Sequence, residues 1–177
     1  QPTSKPAMET TNETSNWCEA LASGLVIPAL PLTLHENGEW SQLHQQAVLR
    51  YYIDAGAGGI AVGVHSTQFE IREPEHALFE PILQLSAEVM NEQAATEFVR
   101  IAGICGGTNQ ARAEAELAAN LGYHAGLLSL SALRNDTEDA ALDHARAIAD
   151  ILPIVGFYLQ PAVGGRIFSY DFWRRFC

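Results

Sequence analysis

Three consecutive polar side chains, His65, Ser66 and Thr67, follow a wholly apolar run from Gly59 to Val64. Hydroxyls and backbone N–H groups in such a loop can donate hydrogen bonds, and an imidazole adds charge when protonated. The same residues also suit an ordinary polar surface loop. A second candidate, Gly106-Gly107-Thr108-Asn109, opens a helical stretch and could cradle an anion on backbone N–H groups. Its glycines equally suit a tight strand-to-helix turn. The only lysine is Lys5, in a polar N-terminal stretch. Schiff-base chemistry needs a buried amine of lowered pKa, and Lys5 is a poor one.

Around these residues the chain reads as a globular α/β protein. Of 177 residues, 47% are hydrophobic, enough to build a core. A net charge of -11 with nine scattered arginines argues against nucleic acid as a partner. Cys18, Cys105 and Cys177 are odd in number and lack CxxC spacing. They are expected to be free thiols in a reducing cytoplasm. His44, His76, His124 and His144 are scattered, so neither a metal nor another cofactor is expected. No apolar run approaches the roughly 20 residues of a membrane helix. Residues 1–15 are rich in Ser, Thr, Pro, Glu and Asn and are expected to form a disordered or vector-derived tail.

From Trp17 onward apolar runs alternate with amphipathic stretches, the pattern of parallel βα units. Five strands are expected: Gly24 to Leu34, Gly59 to Val64, Val99 to Cys105, Ala125 to Ser131 and Leu152 to Gln160. Ser41 caps a helix to about Ala55, with Leu43, Ala47, Val48, Tyr51 and Tyr52 on its apolar face. A helix from near Pro74 to about Gln93 must kink or restart at Pro81. Further helices span about Gln110 to Leu121 and from a cap at Asp136 or Thr137 to about Ile151, their acidic residues on solvated faces. Ser169 opens a last one. The first strand has Pro28 and Pro31 where a dinucleotide fold needs glycines, so an eight-stranded barrel fits better than an open sheet. The side chains expected to face the barrel axis are Ile27, Ala61 or Val62, Ile101 or Ala102, Leu128 and Ile154.

Over about 150 residues, the order of these segments resembles the dihydrodipicolinate synthase and N-acetylneuraminate lyase family of class I aldolases. The resemblance rests on GLVIPALPLTLHENGEW, YYIDAGAGGIAVGV, RIAGICGGTNQARAEAELAANLG and FYLQPAVGG. It implies a (β/α)8 TIM barrel, of which residues 16–177 supply about the first five β/α units, with the active site at the C-terminal strand ends. It also implies attack on a 2-oxo acid of pyruvate type by a lysine on a sixth strand, expected beyond Cys177. On the same resemblance Tyr158 is the proton relay, suited to it because a phenol both donates and accepts. A strand tyrosine with a wet hydroxyl is the alternative. His65, Ser66 and Thr67 fall on the carboxylate-binding loop, although Val64 and His65 stand where the family has two threonines. Arg166 lies close to Val163, the position of an arginine that binds a second carboxylate. Leu133 and Arg134 replace a tyrosine pair shared between subunits. A homo-oligomer is implied, as the family is commonly oligomeric. The competing expectation is a catalytically silent barrel that binds a small carboxylate as a sensor or scaffold.

Overall fold

Each apolar run is followed by a turn and a helix, which returns the chain so that the next run lies parallel to the last. The computed structural model describes residues 16–157, 159–163 and 165–177. The tail expected over 1–15 lies outside the described residues. The strands are β1 (Gly59–Val62), β2 (Val99–Ile104), β3 (Ala125–Leu128) and β4 (Ile154–Gly156). They form one parallel sheet in the order β1-β2-β3-β4. The helices are α1 (Asn16–Ala22), α2 (Gln42–Asp54), α3 (Phe79–Gln93), α4 (Thr108–Asn120), α5 (Glu138–Ala149) and α6 (Tyr170–Phe176).

Local chemistry sets the helix ends. The Ser41, Thr137 and Ser169 hydroxyls accept from the backbone N–H of His44, Ala140 and Phe172, each filling an otherwise orphaned donor. Pro81 is the third residue of α3, so it neither kinks nor restarts the helix. In the first turn its missing N–H has no helical acceptor to lose.

The sheet has two apolar faces. Ile60, Val62, Ala102, Ile104 and Leu128 pack with α-helical side chains such as Ile82, Leu83, Met90 and Ala115. Ala61, Val99 and Ile101 turn the other way and meet Ile27, Leu127 and, from α1, Trp17, Ala20 and Leu21. Of the side chains expected on the axis, Ile27, Ala61 and Ile101 belong to this inner face. Leu128 and Ile154 do not: both pack with the helix-side core, and Leu127 takes the inner place.

The expected first strand is the main departure. Residues 24–34 make one parallel bridge, Ala29 to Ala61, and one antiparallel bridge, Leu34 to Trp40, rather than a continuous ladder. Leu30 N–H donates to Ala61 O at 2.8 Å, and Ala61 N–H donates to Pro28 O at 3.0 Å. Pro28 and Pro31 have no N–H with which to extend this pairing. The expected face of α2 is kept in part, since Val48 and Tyr52 pack against the core. Leu43 and Tyr51 are 71% and 68% exposed, while Gln45 and Leu49 are buried. Gln45 is inside because its amide completes the proline-interrupted segment. It donates to Pro31 O at 2.9 Å and accepts from Thr33 N–H at 3.1 Å and from the Trp40 indole at 3.3 Å.

His144 on α5 is buried, with Nδ1 2.9 Å from the Thr108 hydroxyl, and burial holds its imidazole below the usual histidine range. His124 is held down too, by burial and then by Arg100. The folded chain therefore prefers neutral imidazoles, and the unfolded chain takes up protons first as pH falls through about 6.5. Stability present in full above that range is lost as pH drops through it toward the folded-state values. The urea midpoint should be lower at about pH 5.5 than at about pH 7.5, and His144→Gln should shrink the difference. An undiminished difference in the variant would show that His144 is not its source.

Candidate functional site

All strands point the same way, so the segments leaving their C-terminal ends converge on one rim. There, on the inner face, lies a cavity of about 210 Å³ lined by Ala29, the loop residues Val64, His65, Ser66 and Phe69, and Gly103, Ile104, Leu127, Ser129, Phe157 and Leu159. Gly63 turns the chain out of β1 with a φ of 75°, a left-handed conformation that favours glycine, and residues 65–67 then form one turn of 3-10 helix.

This turn separates the three loop residues by role. The side chains of His65 and Ser66 are exposed and line the cavity, the imidazole edge-on to the Phe69 ring at 5.7 Å between centroids. Thr67 is fully buried behind them. Its hydroxyl accepts from Gly63 N–H at 3.0 Å and donates to Leu30 O at 2.7 Å. It thus sits between the first segment and the end of β1, where a direct ladder bond would otherwise close.

Arg166 is placed beside this cavity rather than in it. It lines a smaller neighbouring one that shares the Phe157 and Leu159 wall. Its Nη1 donates to Asp136 O at 2.6 Å and Arg134 O at 3.3 Å, and its guanidinium lies 4.5 Å from the Phe168 ring centroid. Tyr158, the expected proton relay, lies outside the described residues. Ser129 adds a hydroxyl to the cavity lining, 3.1 Å from that of Ser131. Cys105, at the end of β2, has its thiol pushed up to about 11 by burial, so it is no ready nucleophile.

The loop that carries His65 and Ser66 is anchored by a pair that the sequence did not reveal. Arg72, expected in a polar loop, and Glu114, expected on a solvated helix face, are 8% exposed in both side chains and ion-paired at 2.9 Å. Arg72 Nη2 also donates to Glu114 at 3.1 Å and to Gly103 O at 3.0 Å. Glu114 accepts in addition from Cys105 N–H at 3.1 Å and from Gln110 at 2.8 Å. The guanidinium lies 4.1 Å from the Phe79 ring centroid. The end of the loop is thereby fixed to the end of β2 and to α4. The partners are 42 positions apart, so no local pattern in the sequence links them.

Among the described residues no three His, Cys, Asp or Glu side chains come together as a metal site, and no helix is long and apolar enough to cross a membrane. No protein-family model matches the sequence, and no curated protein does. Solved structures do match. CdNal from Clostridium difficile, solved in complex with mannosamine, superposes with a TM-score of 0.73 at 17% identity, over 86% of this chain and 51% of that one. Dihydrodipicolinate synthase from Bacillus anthracis gives 0.71 at 19% identity, over 85% and 51%. N-acetylneuraminate lyase from Fusobacterium nucleatum gives 0.67 at 15%, over 86% and 51%. The chain shares their fold. It spans about half the length of the structures it matches and has the architecture of a partial (β/α)8 barrel.

Proposed function

We propose that this chain carries the carboxylate-binding part of a lyase acting on 2-oxo acids through a Schiff base. The observation that carries the reading is that His65 and Ser66 line one cavity at the C-terminal strand ends of a fold shared with N-acetylneuraminate lyases and a dihydrodipicolinate synthase. The Ser66 hydroxyl and the His65 imidazole hold the carboxylate and Thr67 holds the loop in shape, while Arg166 lies beside the cavity with Nη1 already donating to two backbone carbonyls. Tyr158 is assigned the proton relay on its sequence position. Residues 16–177 contain no lysine. The amine must therefore come from outside them. A cytoplasmic setting and a homo-oligomeric assembly belong to the same proposal.

Two measurements test it. Borohydride reduction with labelled pyruvate should fix an adduct on the whole gene product and none on residues 16–177. Pyruvate binding to the chain, followed by ligand-observed NMR, should weaken about tenfold in Ser66→Ala and in His65→Ala, as expected for losing a hydrogen bond to a charged group. Unchanged affinity in both variants would overturn the site. The altered carboxylate loop, with Val64 and His65 where the family has two threonines, and Leu133 and Arg134 in place of its tyrosine pair also favour a second reading, a barrel that binds a small carboxylate without turnover. Saturable binding with no adduct on the whole gene product would select that one.

A further inference from the structure

The cavity has an uneven lining. Its two open polar side chains, His65 and Ser66, both come from the loop after β1. Across from them, Leu127 of β3 and Phe157 and Leu159 beyond β4 present carbon surface, with Ile104 of β2 between. Ser129 is there too, but its hydroxyl is paired with that of Ser131 at 3.1 Å. Among the described residues no charged side chain lines the cavity apart from His65 when protonated. At about 210 Å³ it is smaller than the roughly 300–1,000 Å³ of sites for drug-sized ligands.

Resting on the carboxylate reading above, we propose that this cavity selects 2-oxo acids whose tail is a short aliphatic or single aromatic group. The carboxylate lies at the His65 and Ser66 end and the tail against Leu127, Phe157 and Leu159. A polyhydroxylated tail would bring hydroxyls against carbon, where each leaves water without a replacement hydrogen bond. An apolar tail gains about fourfold in affinity for every buried methylene. The wall thus discriminates by the side chain of the acid, and the loop by its carboxylate.

The test is titration of the full chain by calorimetry with pyruvate, 4-methyl-2-oxopentanoate, a polyhydroxylated 2-oxo acid and 4-methylpentan-1-ol. The branched acid should bind at least about tenfold more tightly than pyruvate, and the polyhydroxylated acid no better than pyruvate. Leu127→Asn should bring the ratio of branched-acid to pyruvate affinity down to about one. Phe157→Ser, altered outside the sheet, provides the same comparison if Leu127→Asn fails to fold. Equal affinity for pyruvate and the branched acid would overturn this inference and leave the carboxylate site standing. An alcohol that binds as tightly as the branched acid would overturn the carboxylate site itself, and the substrate class with it. Binding of none of the four overturns both.

Discussion

Glu114→Ala should destabilise the full chain by about 3–5 kcal/mol, because it leaves the Arg72 guanidinium charged, buried and without its counter-ion. Arg72 has an 8% exposed side chain, and Glu114 supplies two of its hydrogen bonds, at 2.9 and 3.1 Å. The loss is a large fraction of the roughly 5–15 kcal/mol that holds a domain together. Urea unfolding followed by circular dichroism at neutral pH measures it. Replacing both partners, Arg72→Met with Glu114→Leu, removes the stranded charge but still orphans Gly103 O and Cys105 N–H, which the pair satisfies. The double variant should therefore recover part of the loss. If Glu114→Ala unfolds within about 1 kcal/mol of the parent, the pair does not anchor the loop. The cavity provides a second readout. An unanchored loop should weaken carboxylate binding at His65 and Ser66, although neither residue has been changed.

Phe172→Ala should be comparably severe, at about 3–5 kcal/mol, by emptying a closed aromatic cluster. Phe172 is fully buried against Ala141 and Leu142 of α5, and its ring lies 4.0 Å from that of Phe168 and 5.1 Å from that of Trp173. This contact seats the seven-residue α6, which is too short to be stable by its own hydrogen bonds. Because α6 could detach before the sheet unfolds, Trp173 fluorescence should accompany the urea measurement. A red-shifted emission at low urea would mark local release. Parent-like emission together with a parent-like midpoint would show that the cluster contributes little.

The start of α3, at Phe79 rather than near Pro74, has no side-chain cap to mark it. The starts of α2, α5 and α6 were legible because caps are local chemistry: Ser41, Thr137 and Ser169 each act on an N–H three residues away. The parallel α/β pattern was legible for a similar reason, as β1 and β2 are apolar almost throughout and each precedes a helix. That same uniformity hid which way the side chains point. In the run Ala125 to Ser131 the alternation of Ser129 and Ser131 with Leu128 and Leu130 separates Leu127 from Leu128, but it does not say which of the two faces meets the axis, and a shift of one residue exchanges them. The first segment read as a strand from its apolar content, but its prolines and the Thr67 hydroxyl interrupt the ladder. Of the candidate site, the sequence placed His65 and Ser66 on one loop. It could not show that Thr67 turns inward, nor that Glu114 and Gln45 are buried, because those outcomes depend on partners distant along the chain.

The unbroken β1-β2-β3-β4 order has a consequence for biogenesis. Each strand docks on the one made just before it, so during translation, at roughly 5–20 residues per second, a template already waits for every newcomer. Within this sheet no strand waits for a distant mate to emerge before it pairs. Such growth from a seed keeps loop-closure penalties small and limits the time that bare apolar edges face the crowded ribosomal exit.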